Sequence, residues 1–185
     1  MKIAINLLFA ITVCFLVAMP MFGQSLKNLE DNNGFKTYKL GAKYYMGYGI
    51  KNKEDGADKV VISYTKDKIG DIDLKSIELY YLKDTLSKII IRLSPEYYQK
   101  LLEGCKNSFG PPTQDLSIKV ENSKGNIIDH YIWKTKKFSL EYYYSYPKFG
   151  GGGYDVKDLY LDYRLNDYLI RQQRVKKGNY TSKNF

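Results

Sequence analysis

The chain predicts an α+β fold: a largely antiparallel β-sheet built from hairpins, one amphipathic helix at about 95–109 packed on it, and a short C-terminal helix. Three observations predict it. β-Branched and aromatic runs come in pairs around short polar turns. One long apolar stripe at helical spacing lies between the two clearest pairs. Strands and helices do not alternate regularly, which argues against a parallel doubly wound sheet.

The N-terminus reads as an export signal. Lys2 supplies a positive charge, residues 3–19 are almost unbroken Ile, Leu, Phe, Val and Ala, Pro20 breaks the run, and Gly23 offers a small residue for cleavage. Residues 1–23 are therefore expected to be removed, with Ser25 as the alternative cut. An uncleaved anchor is the competing reading, because about 17 apolar residues sit at the short edge of a membrane span. Cleavage would leave no transmembrane segment and a periplasmic or extracellular protein. It would also remove Cys14, so that Cys105 becomes the single thiol and no internal disulfide can form.

Residues 24–33 read as a flexible lead-in, 34–175 as a single α+β domain and 176–185 as a disordered basic tail. Within the domain, 35–40 reads as a first strand and 44–50 as a second, weakened by two glycines. A turn at 54–58 leads into a strand over 59–65, and 69–74 reads as a surface connection. Residues 77–82 and 86–93 form a hairpin around Lys83-Asp84-Thr85, pairing Ile77 with Ile91 and Leu79 with Ile89 so that one face is apolar.

The helix follows. Ser94 suits an N-cap, Pro95 the first helical position and Glu96 the positive end of the helix dipole. Tyr97 or Tyr98, Leu101, Leu102, Cys105 and Phe109 form the stripe, Glu96 and Lys100 an i, i+4 pair, and Gly110-Pro111-Pro112 the stop. On that stripe Cys105 reads as a small buried hydrophobe, not a nucleophile.

A second hairpin spans 127–146. A turn at Thr135-Lys136 pairs Trp133 with Phe138 and Tyr131 with Leu140 on the apolar face, and sets His130 opposite Glu141 on the wetter one. Residues 157–165 alternate as another strand, and Asn166 or Asp167 caps a last helix from 168 to about 175.

Charge and motifs narrow the function. The net charge is +9, but Arg171, Arg174, Lys176, Lys177 and Lys183 crowd the last fifteen residues with no acid among them. Without them and Lys2 the body carries only about +3, mostly as Lys, which argues against a nucleic-acid partner and for a tail suited to anionic surfaces. One His and one mature Cys rule out the usual zinc motifs, and Asp71-Ile72-Asp73 lacks the rest of a calcium loop, so no metal site is expected. No G-x-S-x-G elbow is present, and the glycine run 150–153 lacks the strand, helix and Lys of a phosphate cradle, so neither catalytic residues nor a cofactor are expected.

What remains is a possible cross-strand pair, His130 and Glu141, and a cluster of tyrosines beside the glycine loop. Tyr143, Tyr146 and Tyr154 are the candidate binding residues; alternation turns Tyr142, Tyr144 and Tyr146 inward and leaves Tyr143 on the outer face. These features point to a non-enzymatic exported protein that binds an envelope protein or polysaccharide. The alternative is a hydrolase acting on an envelope polymer through scattered carboxylates.

Overall fold

The computed structural model describes residues 26–44, 52–63, 65–117, 126–147 and 157–182. The export segment, most of the strand expected at 44–50, the glycine run and Tyr154 lie outside the described residues. A helix at 26–32 (α1) is followed by β1 (Gly34–Phe35) and β2 (Tyr38–Lys39), then β3 (Asn52–Glu54), β4 (Ala57–Ser63), β5 (Lys68–Ile69), β6 (Ile72–Leu82) and β7 (Thr85–Leu93). A 3-10 turn, Pro95–Tyr97, opens α2 (Tyr98–Phe109); β8 (Gln114–Asp115), β9 (Asn126–Lys134), β10 (Phe138–Pro147), β11 (Asp158–Leu165) and α3 (Tyr168–Ser182) complete the chain.

Among the described residues β1 and β2 form their own small hairpin. The other strands build one antiparallel sheet in the order β3-β4-β6-β7-β11-β10-β9-β8, with β5 paired to the start of β6. The α+β architecture read from the sequence is the one observed. The core lies between the sheet and α2. Ile77, Leu79, Ile89, Ile91, Leu161, Leu140, Tyr142, Phe138 and Trp133 come from the strands, and Leu101 and Cys105 from the helix.

The first hairpin has the expected pairs Ile77–Ile91 and Leu79–Ile89, reached by a different turn. Only Lys83 and Asp84 form the loop, both with positive φ (50° and 60°), which suits the tight turns that match strand twist. The register shifts by one between Tyr80 and Tyr81, leaving Ser87 as an unpaired bulge residue. Turn and bulge together add up to the same core alignment.

The second hairpin is displaced by two residues from the expected register. Leu140 faces Trp133, Tyr142 faces Tyr131 and Tyr143 faces His130, and the turn is Lys136-Lys137. The Thr135 side chain sets it: its hydroxyl accepts from the N–H groups of Lys137 and Phe138 and donates to the Phe138 carbonyl. A shift of two preserves which residues share a face, so the apolar and polar sides are those the sequence assigned.

The sheet clamps α2 at both ends. The Tyr142 hydroxyl donates to the Tyr98 carbonyl at 2.9 Å, and Trp133 Nε1 donates to the Gly110 carbonyl at 2.8 Å. Tyr98 stacks on Tyr144 and Phe109 meets Trp133 edge-on. Gly110, at φ 76°, ends the helix as expected. Ser94 has extended backbone but makes no side-chain cap, and Lys100 reaches Asp71 at 2.6 Å rather than Glu96.

Four stretches correct the sequence reading. Residues 26–32 are helical rather than loose, because Leu29 is buried in the core. Residues 35–40 turn back on themselves as the β1–β2 hairpin, with positive φ at Lys36, instead of forming one strand. Residues 69–74 are not a surface connection: Ile72 and Leu74 are buried as the start of β6. The last helix continues to Ser182 through the supposed tail, with Lys176 paired to Asp55 at 2.9 Å.

Candidate functional site

Away from α2, the sheet presents a polar face whose side chains are arranged in transverse rows. Glu78, Ile90, Asp162, Glu141 and Ile132 are successive cross-strand neighbours from β6 to β9. On one side of this row run Lys88, Arg164 and Ser139; on the other run Arg92, Tyr160, Tyr143 and His130. Asp162 and Glu141 are direct partners, a repulsive pairing for two carboxylates on one face. The flanking cations resolve it.

Arg164 Nη2 lies between the two acids, 2.5 Å from Asp162 and 3.1 Å from Glu141. Lys88 stands 3.7 Å from Asp162, and His130 Nε2 is 3.1 Å from the other side of the cluster, at Glu141 Oε2. Farther along the row, Arg92 bridges Glu78 and Asp158 while Lys59 and the Tyr80 hydroxyl also engage Glu78. Burial works against ionisation of Glu141 and Glu78, but hydrogen bonds and cations outweigh it and hold both carboxyls below their ordinary range. Asp162, 2% exposed, goes the other way: burial pushes its carboxyl up despite Arg164 and Lys88, and its Oδ1 has no hydrogen-bond partner among the described residues.

The predicted site residues divide between the two faces. His130 and Glu141 do meet, but diagonally, since His130 is the cross-strand neighbour of Tyr143. Tyr143 lies on the polar face, stacked on Tyr160 at 4.8 Å, with the His130 ring edge-on and Arg92 over the far side of Tyr160. Tyr146 lies on the opposite face, stacked on Tyr144 as the outer member of a Tyr98–Tyr144–Tyr146 ladder. Asp71 and Asp73 are each taken by a lysine, Lys100 and Lys68. Among the described residues no three His, Cys, Asp or Glu side chains converge as a metal site would require.

The α2 face holds a feature that the sequence reading did not find. A groove of about 460 Å³ runs beside α2, walled by Phe35 and the β5–β6 turn and floored by Leu161 and Tyr163. Leu101, Gly104, Cys105 and Ser108 form the helix side, at spacings that put them on one face. A β-carbon added at Gly104 would meet nothing within 4 Å, and its φ is not in the left-handed range. Neither crowding nor backbone geometry therefore requires glycine, which inside a helix costs roughly 1 kcal/mol relative to alanine. Burial pushes the Cys105 thiol up to about 12, so it is uncharged at neutral pH. The signal that could have revealed the groove was a glycine inside an otherwise amphipathic helix.

Fold and sites define an α+β protein with a helix-clamped apolar face and an ion-paired polar face. Comparison with protein families, with characterised proteins and with solved structures finds no match. No helix among the described residues is long and apolar enough to cross a membrane.

Proposed function

We propose that this is an exported, non-enzymatic binding protein of the cell envelope, and that its polar sheet face contacts a hydroxyl-rich envelope polysaccharide. The observation that carries the reading is the occupation of the space between neighbouring carboxylates. Arg164 stands between Glu141 and Asp162, and Arg92 between Glu78 and Asp158. A glycosidase needs two carboxyl groups facing each other across room for a sugar and a water, one with a raised pKa. Asp162 has the raised pKa but is buried beneath its own cations.

The same lattice leaves few free charges for a polyanion, which favours a neutral polymer over nucleic acid. Tyr143 and Tyr160 turn their ring faces toward each other, so the pair offers edges and hydroxyls beside the donors of Arg92, Arg164 and His130. Such a surface suits hydroxyl groups better than it suits the apolar centre of a protein interface. The basic Lys and Arg positions of α3 would add attraction to an anionic surface.

Co-sedimentation of the exported protein with insoluble envelope polysaccharide tests this. Binding that weakens at least tenfold in Tyr143→Ala, without release of soluble sugar, is the expected result. Release of reducing ends would establish the hydrolase alternative instead.

A further inference from the structure

We infer that the end of the fold formed by α3 and the β6–β7 turn docks on an anionic phospholipid bilayer, with a lipid phosphate in the pocket between them and Leu169 and Ile170 entering the headgroup layer. The residues differ from those proposed to meet polysaccharide, and neither contact depends on the other.

Charge is the first observation. A pocket of about 370 Å³ is lined by Lys43, Lys83, Arg171 and Arg174 around Leu82 and Val175, and no carboxylate lines it among the described residues. The four cations come from three separate segments. The Gly41 N–H donates to the Leu86 carbonyl and the Tyr44 N–H to the Asp84 carbonyl, which lays Lys43 beside the turn that carries Lys83. Tyr168 and Val175 pack on the cluster of Tyr80 and Leu82, which brings α3 to the same place. Neighbouring cations of α3 are met by acids: Lys176 pairs with Asp55 and Arg171 with Asp167 at 2.6 Å. Lys43, Lys83 and Arg174 have no ion-pair partner among the described residues. Like charges held around one pocket repel each other, and a phosphate with several acceptor oxygens relieves that repulsion.

Apolar exposure is the second observation, and it is independent of the first. Tyr168, Gln172 and Val175 hold the inner side of α3, Gln172 by donating to the Asp55 carbonyl. Leu169 and Ile170 are left 56% and 55% exposed, more than any other large apolar side chain among the described residues. One exposed leucine is ordinary. Two in succession, with Arg174 one turn on from Ile170, give the pattern of a helix that lies in a membrane interface.

Together the two observations select the partner. A soluble phosphate would use the cations and leave Leu169 and Ile170 in water. The apolar centre of a protein interface would bury the cations without acids to meet them. A bilayer surface offers phosphates to the Lys and Arg heads and an apolar boundary to the two side chains beside them.

Flotation of the mature exported protein, without the apolar residues 1–23, tests this with two kinds of vesicle: phosphatidylcholine alone, and phosphatidylcholine with about one-third phosphatidylglycerol. Binding at least tenfold tighter to the anionic vesicles, and lost as salt rises from about 0.1 M to about 0.5 M, is expected. Lys43→Ala and Arg174→Ala should each weaken it about fivefold, and Leu169→Ser combined with Ile170→Ser at least tenfold. All four side chains are exposed, so every variant should keep the wild-type urea midpoint, which separates lost docking from lost folding. Tyr143→Ala should bind anionic vesicles as the wild type does, so that this inference and the polysaccharide reading fail separately. Equal binding to both vesicles, or wild-type binding by Arg174→Ala or by the Leu169 and Ile170 double variant, would overturn the inference. So would release from the vesicles by millimolar glycerol phosphate, since a soluble phosphate would then be the ligand.

Discussion

His130 and Glu141 are hydrogen-bonded at 3.1 Å although neither is the other's cross-strand neighbour. The bond is diagonal, and the same Glu141 oxygen, Oε2, also accepts from Arg164 Nη2 at 3.1 Å. Glu141 thereby becomes the link between the His130 edge of the polar face and its buried centre at Asp162.

The acid limb of the stability curve should report this link. The folded pKa of Glu141 is depressed, so its contribution is present above its unfolded pKa and is lost as pH falls through the folded value. Asp162 is raised, so its ionised form destabilises the fold near neutrality, and acid relieves that cost. The two partly cancel in the wild type. Glu141→Gln should cost about 1–3 kcal/mol at pH 7 and much less at pH 3, flattening the acid limb. Asp162→Asn should steepen it. Urea melts across pH 3–7 measure both; parallel curves for all three proteins would show that neither carboxyl is coupled to folding as described.

The clamp on α2 gives a second set of expectations. Leu101→Ala removes a side chain that is 2% exposed and should cost about 2–5 kcal/mol, whereas Lys100→Ala breaks only an exposed pair and should stay within about 1 kcal/mol. Tyr142→Phe should cost about 1–2 kcal/mol, because it strands the Tyr98 carbonyl without opening a large cavity. Equal small effects at Leu101 and Lys100 in urea melts would mean that the helix is not part of the core.

Much of this fold is legible in the sequence because face alternation survives errors of turn placement. The second hairpin shows why. Thr135-Lys136 and Lys136-Lys137 are both acceptable turns, and they differ by two residues in register, so Tyr142, Tyr144 and Tyr143 keep their faces under either. The choice is made by groups the pattern does not weigh: the Thr135 hydroxyl, and Asn166, whose amide donates to the Thr135 and Lys136 carbonyls from thirty residues away. In the first hairpin a bulge at Ser87 compensates a shorter turn, so the core pairs come out as expected.

What the sequence hid is what long-range contacts create. Residues 26–32 carry only Leu26 and Leu29 as apolar anchors, too short a stripe to identify a helix without the core that receives Leu29. The end of α3 is polar on all sides, yet Val175 packs on the Tyr80–Tyr168 cluster and Lys176 reaches Asp55, which extends the folded unit past the apolar pattern. The transverse row that holds the acids joins residues of five strands, 78, 162 and 141 among them, and no local window contains it.

The loop at Lys83-Asp84 supplies the last prediction. Both residues have positive φ, a conformation that side chains resist and that Asn and Gly adopt with less strain. The Asp84 carbonyl accepts the Tyr44 N–H at 2.8 Å, a backbone contact that substitution preserves. Replacing the pair by Asn-Gly (K83N/D84G) should therefore relieve strain without disturbing the Lys43–Tyr44 segment docked beside it, raising stability by about 0.5–1 kcal/mol. Because β6 and β7 are central strands, the gain should appear as a shift of the global urea midpoint at unchanged slope. A lowered midpoint would mean that the Lys83 or Asp84 side chain stabilises the turn more than its backbone conformation strains it.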